Sequence, residues 1–230
     1  MSDQSPIDPS GGTASTGPGL LSESGRLEAF SDGVLAIAIT LLVLNLKIPE
    51  GETGTVAHRL LDQWPSYLAY LASFIYVGVV WVNHHALFAR ISRVNSGVLW
   101  RNLGLLLAVS VLPFPTATLA YAMQHGTRDD QFAAVVLYAL VAAAMGLTWL
   151  IMFVYLDGHR ELLRGDVSPG FFREERRRAA LGILSPAIAI AIAIVAPSAA
   201  LFTFLLLPIF YGLTTEGWTP RRSRTRRAAA

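Results

Sequence analysis

The sequence predicts an all-α, polytopic membrane protein with six membrane-spanning helices in each chain. Three observations lead there. Of 230 residues, 53% are hydrophobic and only 15% charged, where a soluble domain carries about 25% charged residues; the mean hydropathy is +0.48. The apolar residues gather into runs near the length of roughly 20 residues that crosses a hydrocarbon core about 30 Å thick. The basic residues sit at the ends of those runs.

The first 25 residues, MSDQSPIDPSGGTASTGPGLLSESG, are rich in Ser, Gly, Pro and Thr. They lack the basic start and apolar core of a signal peptide and are expected to be a disordered cytoplasmic N-terminus. Six candidate spans follow, at about 28–48, 66–89, 98–121, 132–156, 181–197 and 198–214. Residues 26–214 thus read as one six-span transmembrane domain, and 215–230 as a basic cytoplasmic tail. Pro113 and Pro115 are expected to kink span three, and Pro186 span five. The run AIAIAIAIVA alternates with period two, but an isolated strand cannot satisfy its backbone in lipid, so it reads as helix. Spans five and six meet at Pro197-Ser198 and read as a tight helical hairpin.

With the N-terminus inside and six spans, only Lys47, Arg59 and Arg128 lie outside, which leaves fifteen of the eighteen Lys and Arg on the cytoplasmic face. That positive-inside asymmetry puts both termini in the cytoplasm. It also explains the tail RRSRTRR as a membrane stop, so no nucleic-acid partner is expected. Cysteine is absent, which excludes disulfides and thiolate metal sites.

The most informative stretch is RLEAFSDGVLAIAITLLVLNLKIP, residues 26–49. Ionisable groups crowd its start, where they are costly and need a partner or a task. From Gly33 to Leu44 the only polar side chain is Thr40. At 100° per residue, with Gly33 as zero, Ile37 falls near about 40°, Thr40 near 340°, Leu44 near 20°, Arg26 near 20° and Phe30 near 60°. One stripe therefore carries a charged mouth, an aromatic ring, two large aliphatic residues and a hydroxyl. Ser31 (about 160°) and Asp32 (about 260°) point elsewhere, into neighbouring helices of the same chain. Ala29, Gly33, Ala36 and Thr40 stand at or near the small-x-x-x-small spacing that lets helices approach. Four such stripes about an axis would enclose a narrow pore, with dewetting rings at Ile37 and Leu44. The competing reading leaves Ile and Leu against neighbours or lipid, with Thr40 bonded back to its own helix.

The run Arg26-x-x-x-Phe30-Ser31-Asp32, followed by GVLAIAITLLVL, resembles the signature of the transmembrane protein 175 family, endolysosomal-type potassium channels. Trp81-Val82-Asn83-His84-His85-Ala86-Leu87-Phe88 is similar to that family's tryptophan and paired histidines, Asn102 and Leu112-Pro113-Phe114-Pro115-Thr116-Ala117 to its third span, and Pro186, Pro197 and Pro208 to its last hairpin. The resemblance implies a potassium-selective, leak-type channel and no enzyme. A single six-span unit resembles the prokaryotic branch, whose members are homotetramers, in a bacterial plasma membrane. It places the gate on Ile37 and the selectivity position on Thr40, with K+ as the permeating ion and no cofactor.

For Arg26, Phe30, Ser31 and Asp32, two readings stand. One is a gating or proton-sensing site. The other is a clamp joining the first three spans, with Trp81, Asn83, His84, His85 and Asn102 as partners for Asp32 and Glu28 as a water-facing charge. The first would also suit a proton-coupled secondary transporter using Asp32 and the histidines. Adjacent histidines point about 100° apart on a helix, a poor bidentate pair, so no metal site is expected. Their ionisation near neutral pH leaves pH modulation open. Asp129 and Asp130 read as solvated. No T-V-G-Y-G filter, phosphate loop, basic voltage-sensing span or internal repeat is evident.

Overall fold

The computed structural model describes residues 23–47, 54–165, 167–168 and 170–214. The basic tail 215–230 lies outside them, as do residues 1–22; Glu23 to Gly25, expected to be disordered, instead open the first helix. The described chain is all helical: α1 (Glu23–Leu41) runs into a 3-10 turn (Leu42–Asn45), followed by α2 (Val56–Asp62), α3 (Trp64–Phe88), α4 (Ser96–Val111), α5 (Pro113–His125), α6 (Arg128–Gly158), a 3-10 turn (Arg160–Leu162), α7 (Phe171–Val195) and α8 (Pro197–Thr214).

Span three, Ser96–His125, is interrupted at Leu112, next to the expected proline kink. Pro113 has no N–H to give the ladder, so α4 ends at Val111 and α5 restarts on the proline. The alternating run at 187–196 is helix to Val195, and α7 passes through Pro186 unbroken. It begins at Phe171, ten residues before the expected start of span five, because the arginine-rich FFREERRR segment winds into the same helix. Five described segments are long and apolar enough to cross a membrane, and α8 is a shorter apolar helix.

Caps and tethers set the helix ends. Thr127 and Asp130 form a reciprocal capping box at the start of α6, so Asp130, solvent-exposed as expected, also caps the backbone. Arg128 donates to the carbonyls of Ile194 (2.7 Å) and Val195 (3.1 Å), closing the last turn of α7. At the opposite end, the backbone N–H of Ser92 donates to Leu162 O at 2.8 Å and that of Arg164 to Arg90 O at 2.9 Å. The loops after α3 and α6 are therefore tied together on one side of the bundle.

The core runs along α3, where Ala69, Ala72, Ser73, Val77, Val80, His84 and Leu87 recur at helical spacing and are buried. The most extensive helix pairing is α6 with α7, and Gly146 permits close approach there: a Cβ would stand 3.1 Å from the Ile183 backbone nitrogen. Helix α1 packs chiefly on α3 and α4.

Candidate functional site: the uncovered face of the first helix

Helix α1, with the 3-10 turn that continues it, is divided lengthwise. Leu35, Ala38 and Leu42 are at most 2% exposed, whereas Phe30, Ile37 and Leu44 are 55%, 61% and 70% exposed. The buried row faces α3 and α4. The exposed face contains the stripe of Arg26, Phe30, Gly33, Ile37, Thr40 and Leu44, together with Ala29, Ala36, Leu41 and Val43. Both rows are rich in large aliphatic side chains, so the burial of those side chains is decided by rotation about the helix axis and not by hydrophobicity. An apolar row left open on a helix that is packed on its other side is ready to meet lipid or another copy of the chain.

Within that row, Thr40 donates its hydroxyl proton to Ile37 O at 2.9 Å. The bond consumes the donor and leaves the oxygen lone pairs on the open face. The two sequence readings of Thr40 are thus compatible: a hydroxyl bonded back to its own helix still presents an acceptor outward.

The other residues of the signature lie against the partner helices. Asn102 on α4 donates from Nδ2 to Ser31 Oγ at 2.8 Å, and Ser31 passes its own proton to Leu27 O at 2.8 Å. That order leaves Asn102 Oδ1 to accept from His84 Nε2, 2.9 Å away on α3. The chain of donors is completed by the Nε2–H tautomer of His84. All three side chains are fully buried. His84 also stacks on Phe88, ring centroids 4.2 Å apart, with Nδ1 unpartnered among the described residues. A second, more exposed pair of contacts flanks this relay: Trp81 Nε1 donates to Asp32 Oδ1 at 3.0 Å, and His85 Nδ1 meets Glu28 Oε1 at 2.8 Å.

Four expectations are corrected by this geometry. Among the described residues, Trp81 is the one named partner that bonds to Asp32; Asn102 bonds to Ser31, and His84 to Asn102. Glu28 is more than a water-facing charge, since it holds His85. Arg26 is exposed and takes no part in the cluster among the described residues. Asn83 turns the other way, because it lies about 200° around the helix from Trp81, and lines a cavity on the far side of α3.

The sequence reading missed a second polar cluster. Ser73 Oγ lies 2.8 Å from Thr116 Oγ1 and 2.9 Å from Tyr138 Oη, joining α3, α5 and α6. Three hydroxyls on three separate runs carry no local signal, although Thr116 sits in the LPFPTA motif. Arg101 lies with its guanidinium 3.7 Å over the ring of Tyr155, whose hydroxyl meets Asn95.

Comparison with known proteins adds a common theme. A family model described as the endosomal/lysosomal potassium channel TMEM175 matches residues 26–113. A potassium channel of Streptomyces collinus is 40% identical over 193 residues, covering 84% of this chain and 93% of that one. A potassium channel of Chamaesiphon minutus is 51% identical over 107 residues, 45% of this chain and 53% of its own. The crystal structure of a lysosomal potassium-selective channel TMEM175 homolog from Chamaesiphon minutus superposes with a TM-score of 0.72 at 34% identity, covering 83% of this chain and 97% of that chain.

Proposed function

The chain belongs to the TMEM175 family, and from that premise we propose that it is a potassium-selective, leak-type channel formed by four copies about a central pore lined by α1. It is an integral membrane protein, and its family and relatives are ion channels and not enzymes. The observation that carries the reading is the open apolar row of α1, with Ile37 61% and Leu44 70% exposed on a helix whose other side is closed against α3 and α4. Four such rows facing an axis give rings of Ile37 and Leu44 that strip water from a passing ion without replacing it, which resists conduction. The Thr40 ring between them offers oxygen lone pairs to a partly dehydrated ion. K+ holds its water less tightly than Na+, so a narrow, weakly polar passage favours it.

Supporting features set the rest of the arrangement. Helix α8 is the sixth span; its 18 residues extend about 27 Å at 1.5 Å per residue, close to the roughly 30 Å core. Fifteen of the eighteen Lys and Arg then fall on the side of both termini, which we assign to the cytoplasm of a bacterium, with the channel in its plasma membrane. The Ser31–Asn102–His84 relay and the Asp32–Trp81 contact hold α1 at a fixed rotation, so that its open row points to the axis; in this reading the signature is a clamp.

The test is purified protein in planar bilayers under a K+ gradient. Single-channel steps whose reversal follows the K+ potential are expected. Flux that requires a proton gradient would instead support the transporter using Asp32, His84 and His85, and silent bilayers with intact protein would leave a scaffold without conduction.

A further inference from the structure

The short helix α2 buries none of its residues and packs lightly, chiefly on α3. At 100° per residue from Val56, Leu60 falls near about 40°, Ala57 near 100° and Leu61 near 140°. His58, Asp62 and Arg59 occupy the opposite arc, from about 200° to 300°. The helix is therefore amphipathic. Its polar side is paired within itself: His58 Nδ1 meets Asp62 Oδ2 at 2.9 Å, and Arg59 Nε donates to Thr55 Oγ1 at 2.9 Å. Its apolar side is open, with Val56 54%, Leu60 42% and Leu61 75% exposed.

The place of α2 in the chain decides what that side can meet. Gln63 alone separates it from α3, because Pro65 has no N–H to continue the ladder to Leu61 O. Gln124 of α5 donates to Ser66 Oγ at 2.6 Å, which sets the α2–α3 junction level with the α5–α6 turn. That turn carries Arg128, Asp129 and Asp130, all exposed, so it marks the membrane surface. Trp64 stacks on Phe202 of α8, ring centroids 6.4 Å apart. Phe202, Leu206, Phe210 and Leu213 form one exposed stripe along α8. Trp64, itself exposed, thus stands between α2 and an outward apolar stripe, at the level where tryptophan anchors a span. From Trp64 to Val56 an upright helix would rise about 12 Å, past an interfacial layer about 5–8 Å deep. Upright, Val56 would stand in water; lying flat, α2 keeps its apolar side at one depth.

We propose that α2 is an interfacial anchor, lying in the leaflet at the Trp64 end of α3 with Val56, Leu60 and Leu61 at the headgroup–acyl boundary and His58, Arg59 and Asp62 in water. Its partner is the lipid surface and not a second copy of the chain. That choice rests on the channel reading, in which the open row of α1 brings the copies together, whereas Trp64 ties α2 to α8.

The chain has no cysteine, so one introduced cysteine carries a nitroxide alone. Full-length Leu60→Cys and Asp62→Cys are spin-labelled, reconstituted in phosphatidylcholine vesicles and read by EPR power saturation. The relaxants are O2, which concentrates in hydrocarbon, and a water-soluble nickel chelate. The O2-to-nickel collision ratio is expected to be at least about fivefold higher for the Leu60 site than for the Asp62 site. Ala57→Cys, also on the apolar side, takes the reading where Leu60→Cys does not assemble. Equal ratios on the two sides put α2 in water and overturn the proposal. An apolar-side label shielded from both relaxants means that protein covers it, and overturns the proposal too. The readout is accessibility rather than current, so a lipid-anchored but silent protein would sink the channel reading alone.

Discussion

His84 Nε2 and Asn102 Oδ1 stand 2.9 Å apart between α3 and α4, with both side chains sealed from solvent. Through Asn102 the contact extends to Ser31, so three helices share one chain of donors and acceptors. Each member is satisfied only while the others hold their positions.

Asn102→Leu keeps the volume and removes both polar ends. Ser31 Oγ and His84 Nε2 then lose a partner in a dry site, at a cost of about 1–3 kcal/mol. A lower apparent Tm and a reduced yield of assembled particles by size-exclusion chromatography are expected. A variant as stable and as well assembled as wild type would mean that the relay does not position α1.

Ile37→Asn places an amide on the open row of α1 where a large aliphatic group now stands. In the proposed pore it wets the constriction, and leak current in planar bilayers should rise. Thr40→Ala removes the hydroxyl that bonds to Ile37 O at 2.9 Å. The permeability ratio of K+ to Na+, read from bi-ionic reversal potentials, should fall. Unchanged conductance and selectivity in both variants would refute the pore assignment.

Asp32→Asn and Trp81→Phe separate the clamp from the sensor. Both weaken the 3.0 Å contact between Trp81 and Asp32, but only the first removes a titratable group. For a clamp, the two variants should lose yield and stability together. If Asp32→Asn alone shifts the pH dependence of current in a well-assembled protein, the sensing role is the correct one.

Gly97→Ala probes the join between α4 and α6. A Cβ at this position would fall 2.0 Å from the Tyr155 hydroxyl oxygen, and Arg101, one turn further along α4, lies over the same ring. Displacing it should cost about 1–3 kcal/mol through overpacking. The measurement is thermal unfolding, and Gly97→Ala combined with Tyr155→Leu should recover part of the loss.

Much of the architecture was legible because it is written in short-range pattern. Apolar run length marks the helices, and the positions of Lys and Arg mark one side of the bundle. The 100° step from Gly33 singled out the row that contains Ile37 and Leu44, and that row is the uncovered one. The break at Pro113 was anticipated only as a kink, because losing one ladder bond bends or ends a helix according to what packs around it. The extension of α7 back to Phe171 was hidden by its arginines, which hydropathy counts as loop.

Composition, periodicity and charge asymmetry by themselves determined that this chain is a helical membrane protein and which face of α1 differs from the rest, since each is a property of neighbours along the chain. Tertiary structure alone decided that Ser31 meets Asn102, that Glu28 holds His85, that Asn83 turns from Asp32 toward a cavity, and that Ser73, Thr116 and Tyr138 share a cluster. Those pairings depend on the axial rotation and vertical offset of separate helices. Small-residue contacts such as Gly146 against α7 and Gly97 beneath Tyr155 set these quantities, and no local pattern encodes them.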